Sequence, residues 1–136
     1  MSNNTSESVN RKPNSIYFSY ESSGGDFVLE TLKISYESST KELLRVESPG
    51  NITTTKNLTS EDEQRILDKL GSIKFFELKD KYLVEKVPVG GYTYHLFVFI
   101  VYPGRFAINA IHSVTWQPGS SAPDGLFEMS KFIETL

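Results

Sequence analysis

The stretch from Tyr92 to Trp116 constrains the fold more than any other: two β-rich segments meet at Tyr102-Pro103-Gly104-Arg105, and the first is apolar at nearly every position. A strand with one face in water alternates apolar and polar residues. Leu96, Phe97, Val98, Phe99, Ile100 and Val101 instead offer apolar groups to both faces of a sheet. The pattern predicts a central strand, paired along both edges, with Phe97 and Phe99 largely buried and something covering each sheet face.

A chain of 136 residues holds one domain, long enough to bury a core without staples. Residues 15–136 carry its periodic segments. Residues 1–14 are rich in Ser and Asn, lack apolar periodicity, and read as a disordered leader or tether. The formal charge is -3 with both signs interspersed, which is not the footprint of a nucleic-acid binder or of a polybasic membrane patch. The longest apolar run falls far short of the roughly 20 residues a membrane helix needs, so a soluble chain with no membrane insertion is expected. With 0 cysteines there is neither a disulfide framework nor a thiolate zinc site. Sequons begin at Asn3, Asn4, Asn51 and Asn57. They fit an exported or cell-surface protein whose targeting segment is absent, and they also arise by chance in sequence rich in Ser, Thr and Asn, so the compartment stays open.

Ile16, Phe18 and Tyr20 alternate with Tyr17, Ser19 and Glu21, predicting a first strand that Ser22-Ser23-Gly24-Gly25 breaks. A second strand is expected from Phe27 to Tyr36, and a third around Leu43, Leu44 and Val46 that ends at Ser48-Pro49-Gly50. The threonines between Asn51 and Asn57 suit an extension of this meander. Ser60 followed by Glu63 forms a capping box, so a helix is predicted over about 61–70, with Gly71 as the left-handed residue beyond its end. Phe75, Phe76 and Leu78 make an apolar plug, and 79–88 reads as extended or loop. A second helix starts at Pro123 or Asp124, with Leu126, Met129, Ile133 and Leu136 at helical spacing. Together these elements predict an α+β fold, an antiparallel four- to five-stranded sheet packed by two helices.

His95 and His112 are the only histidines. A two-residue Pro103-Gly104 loop would set Tyr102 opposite Arg105 and the two imidazoles opposite each other, about 5 Å apart at Cβ. Such a pair can share Zn²⁺ or Cu²⁺, but a site normally needs three or four ligands, and no Cys or acidic cluster stands near to complete one. A cross-strand structural pair is therefore the expectation, with no metal and no cofactor. Gly24-Gly25 and Gly90-Gly91 lead into no helix and read as turns rather than phosphate loops. No nucleophile elbow accompanies the histidines, and the Glu61-Asp62-Glu63 carboxylates lie where helix capping accounts for them. The residues thus predict a non-enzymatic binding protein. The alternatives are a small-molecule or metal-binding module on the sheet near His95 and His112, and a cell-surface structural domain that forms a homodimer through its sheet.

Several short motifs occur in a telling order. Ser23-Gly24-Gly25-Asp26-Phe27 follows a strand; Leu58-Thr59-Ser60-Glu61-Asp62-Glu63 opens a helix; Phe75-Phe76-Glu77-Leu78 follows it; Tyr92-Thr93-Tyr94 begins a strand; and Pro123 to Leu136 closes the chain. In this order the sequence from Ile16 to Leu136 resembles the emfourin-like family, small protein inhibitors of thermolysin-like metallopeptidases and their bacterial and archaeal relatives. Asp26 stands between the glycines and the aromatic residue of the family pattern, and Gly90-Gly91 occupies the place of an acidic residue ahead of the Tyr strand. The resemblance implies a metallopeptidase as protein partner. It also implies that Ser23, Gly24, Gly25, Asp26 and Phe27 meet the partner, with Phe27 as apolar anchor; for Asp26 the expected role is a hydrogen bond within its own turn, and the alternative is a carboxylate near the catalytic zinc.

Overall fold

A computed structural model describes residues 15–88, 90–103 and 108–136; the 1–14 leader lies outside the described residues. Seven strands, β1 (Ser15–Gly24), β2 (Glu30–Glu37), β3 (Glu42–Ser48), β4 (Ile52–Asn57), β5 (Lys81–Tyr82), β6 (Thr93–Tyr102) and β7 (Ile108–Trp116), form one sheet. Its order is β4-β3-β2-β1-β6-β7-β5. All neighbours are antiparallel except β5 and β7. The fold is α+β as expected, but the sheet has seven strands rather than four to five, because the Thr-rich 52–57 segment pairs fully with β3 and Lys81–Tyr82 adds a short parallel edge.

Two helices complete the chain, α1 (Ser60–Ser72) and α2 (Asp124–Glu134), with a single 3₁₀ turn at Phe75–Glu77. The capping box of α1 lies one residue earlier than expected. Thr59 caps it, accepting from the Asp62 N–H, while Asp62 accepts from the Thr59 N–H. Gly71 is helical, and the left-handed residue beyond the helix is Lys74, at φ 52°.

Both helices and the 3₁₀ turn pack on one face of the sheet. Ile16, Phe18 and Tyr20 of β1 lie beside Ile100, Val98 and Leu96 of β6 on that face. Ile34, Tyr36, Val114 and Trp116 extend this layer, and Ile66, Leu70, Phe75, Leu126, Met129 and Ile133 close over it. Burying these side chains supplies the main drive to fold, at roughly 1.5–3 kcal/mol each.

As expected, β6 is central, paired to β1 and to β7. Phe97 and Phe99, expected to be largely buried, are of intermediate burial rather than part of the fully buried core. They sit on the other face with Tyr17 and Ile111, where no helix lies among the described residues; Phe97 and Phe99 are half-buried and Ile111 is 62% exposed.

The β6–β7 register also differs from the two-residue-loop expectation. Tyr102 pairs with Ile108, so His95 lies opposite Thr115, and His112 opposite Val98. The slip amounts to three positions, and an odd slip moves every side chain of one strand to the other face relative to its partner. His95 and His112 therefore stand on opposite faces of the sheet.

Candidate functional site

The β1–β2 connection is a five-residue loop, Gly25 to Leu29, between the paired residues Gly24 and Glu30. It carries an apolar tip in water: Phe27 is 100% exposed, Val28 58% and Leu29 66%. Three adjacent large apolar side chains in that state cost solvation free energy that folding does not recover, which makes this tip a candidate contact surface.

The loop is exposed but held. Gly25 has φ 130°, a region closed to L side chains, and a Cβ there would run into the Val28 carbonyl. The Tyr92 ring lies against Gly24, where a Cβ would stand 2.7 Å from its Cγ, and its hydroxyl donates to Glu30 Oε2 at 2.7 Å. That bond to a carboxylate raises the Tyr92 pKa above the usual phenol value. The Asp26 carboxylate lies over Gly90, itself at φ 81°, and a Cβ on Gly90 would collide with it. Gly90 and Tyr92 thus brace the loop from one side, leaving Phe27, Val28 and Leu29 exposed.

Beside the loop runs a groove of about 520 Å³. Its walls carry three carboxylates, Glu30, Glu47 and Glu134, against one guanidinium, Arg45, with Tyr92 and Tyr94 as the aromatic side. Arg45 donates to the Glu134 carbonyl at 2.9 Å and meets Glu47 at 3.4 Å, so it ties the C-terminal end of α2 to the sheet. The Tyr20 hydroxyl donates to the Glu134 carboxylate. Burial, and then that carboxylate, pushes the Tyr20 hydroxyl far above its ordinary pKa. Tyr94 stacks on Trp116 at 5.6 Å and meets Phe127 edge-on at 6.1 Å, which fixes the aromatic wall. With two carboxylates in excess next to aromatic faces, the groove suits a cationic group.

Of the residues singled out in the sequence, Ser23, Gly24, Gly25, Asp26 and Phe27 are contiguous at this end of the molecule, Ser23 and Gly24 as the last pairs of β1 and the others in the loop. His95 and His112 are not brought together. His95 Nδ1 lies 2.8 Å from Thr115 Oγ1 on the open sheet face. His112 Nε2 donates to the Leu78 carbonyl at 2.7 Å, and its ring packs edge-on against Phe75 on the helix-covered face. Among the described residues no three His, Cys, Asp or Glu side chains group as a metal site would require.

Val28, Leu29 and Glu30 escape the sequence reading because 27–36 reads as continuous strand, and Tyr92 reads only as the start of the next one. The available signal was Phe27-Val28-Leu29 itself, three apolar residues in a row where a half-buried strand would alternate. Compared with protein-family models and with curated proteins, the chain matches none. No helix among the described residues is long and apolar enough to cross a membrane.

Proposed function

We propose that this protein is a non-enzymatic binding module that docks the Gly25–Leu29 loop into an apolar cleft of a protein partner. The observation that carries the reading is the full exposure of Phe27 at the tip of a braced loop. Bracing matters because a loop already held in one shape loses less conformational freedom when it binds. The emfourin-like resemblance of the Ser23 to Phe27 motif names the partner class, a thermolysin-like metallopeptidase, with the loop occupying its active-site cleft as an inhibitor.

Phe27 is the anchor in this reading, and Val28 and Leu29 widen the contact. Asp26 has a smaller part. Its carboxylate rests on Gly90 and would have to turn outward to reach a catalytic zinc, so its first role is to hold the loop against Gly90. The anionic groove next to the loop receives a lysine or arginine of the partner at the rim, where charge governs approach more than affinity.

The test is titration against thermolysin-like peptidases from the source organism. Inhibition is expected, and Phe27→Ala should weaken it at least about thirtyfold, the effect of truncating a central anchor. Absence of inhibition at micromolar concentration, or inhibition indifferent to Phe27→Ala, overturns the reading.

A further inference from the structure

The groove beside the Gly25–Leu29 loop is built by strand register. Tyr94, Ser22, Leu32 and Glu47 are successive cross-strand neighbours on β6, β1, β2 and β3, and all four line it. Ser22 follows Tyr20 by two residues, so this row lies on the helix-covered face. Glu30 stands one row nearer the loop and Arg45 one row farther from it, while Glu134, the last residue of α2, lines it from the helix side. Ser22 is only 5% exposed, which puts a buried polar residue in the lining. The volume of about 520 Å³ falls within the range of small-ligand sites.

We infer that this groove is a pocket for one arginine side chain, presented by the partner that the Gly25–Leu29 loop engages. The inference rests on the docking reading for who presents the arginine, and on the groove alone for the choice of a guanidinium. Charge is the first argument. Arg45 is engaged by Glu47 at 3.4 Å and by the Glu134 carbonyl at 2.9 Å, so the carboxylates of Glu30 and Glu134 are left without a cation among the lining residues. Each accepts one tyrosine hydroxyl, from Tyr92 and Tyr20 respectively, which holds it in place. An ionised carboxylate has about four acceptor sites, so both keep capacity for a ligand. Burial, and then the Glu134 carboxylate, raises the Tyr94 hydroxyl above its ordinary pKa, which places that negative charge next to the aromatic wall.

Shape is the second argument. The Tyr92 and Tyr94 rings are nearly parallel, 23° apart at 6.3 Å, and Trp116 backs Tyr94 at 19° and 5.6 Å. A guanidinium is planar, lies flat on an aromatic face and spreads five donors in its own plane, where carboxylates on two sides can take them. An ammonium is a compact, strongly hydrated point charge and forgoes that fit. The apolar stem of the arginine has Leu32 to lie along.

The test is calorimetric titration of the full chain with Nα-acetyl-arginine amide. Fluorescence of Trp116, the only tryptophan, reports the site because Tyr94 stacks on it. Saturable binding is expected, at least about tenfold tighter than that of the uncharged citrulline analogue or of Nα-acetyl-lysine amide. Glu30→Gln should weaken it about tenfold, and Glu30 is exposed, so the fold does not depend on its charge. Glu21→Gln removes the same charge from the opposite sheet face, beside His95, and should leave binding unchanged. No saturable binding, equal binding of the citrulline or lysine amide, or equal weakening by Glu21→Gln and Glu30→Gln overturns the inference. Free arginine bound more tightly than its amide also overturns it, since the groove would then take a free amino acid rather than a partner's side chain. The two readings fail separately: this titration reads the groove without a peptidase, and Phe27→Ala reads the loop without an arginine.

Discussion

Alternate residues of one apolar run in β6 meet two different environments. Leu96, Val98 and Ile100 face the helices and are at most 1% exposed, while Phe97, Phe99 and Val101 face away and keep part of their surface in water. The chemistry of the two sets is nearly the same. What differs is supply: among the described residues, α1, α2 and the 3₁₀ turn provide apolar side chains for one layer only, so the apolar run of the strand suits two covered faces and these elements cover one.

The largest expected effect lies on the covered face. Leu96→Ala should cost about 2–5 kcal/mol by urea denaturation, since it leaves a cavity in a packed layer. Phe99→Ala should cost less despite removing more atoms, because part of its ring already stands in water in the native state. Equal losses at the two positions would break the contrast between the faces, and a Phe99→Ala loss below about 1 kcal/mol would sharpen it.

The next effect belongs to the cap that starts α1 and fixes how that helix lies on the covered face. Thr59→Ala should cost about 1 kcal/mol. Asp62 accepts hydrogen bonds from the Thr59 backbone and hydroxyl and meets Arg65, which holds its carboxyl below the usual carboxylate pKa. Its contribution is therefore present in full above the unfolded value near pH 4 and lost as the pH falls through the lower native value. A stability profile below pH 4 with the same slope in Asp62→Asn as in the parent would remove Asp62 from that account. Smallest of all is Phe27→Ala, which touches neither face and should change stability by no more than about 0.5 kcal/mol while it weakens partner binding. A larger loss would show that the loop tip packs on the body of the protein.

The element types were legible because each had a local cause. Period-two alternation marked β1, capping chemistry marked α1, and helical spacing of Leu126, Met129 and Ile133 marked α2. What failed was set at longer range. Thr59-x-x-Asp62 and Ser60-x-x-Glu63 both resemble capping patterns one residue apart, and the helix uses the first. The β6–β7 register depended on a turn length that Pro103-Gly104 suggested to be two residues, whereas pairing resumes only at Ile108, and that alone separated the histidines. The Ser23 to Phe27 motif was legible as the turn that follows the first strand. Its braces, Tyr92, Glu30 and Gly90, come from residues far along the chain that no local pattern links.

The outer strands of the sheet carry a consequence for colloidal behaviour. A sheet edge with free N–H and C=O groups can template a further strand and so seed fibrils. On one side β5 pairs only with Thr115 and Trp116, so the rest of β7 also stands at that edge. The other edge is β4, exposed along all six residues. Its defences are polar: three successive threonines, Lys56, and a sequon asparagine at each end, Asn51 in the preceding turn and Asn57 as the last residue of the strand, both exposed. Where the cell attaches glycans, sugars at these two positions would flank the open ladder and shield it from an incoming strand. Where it does not, the threonine and lysine side chains alone stand between this edge and fibril growth.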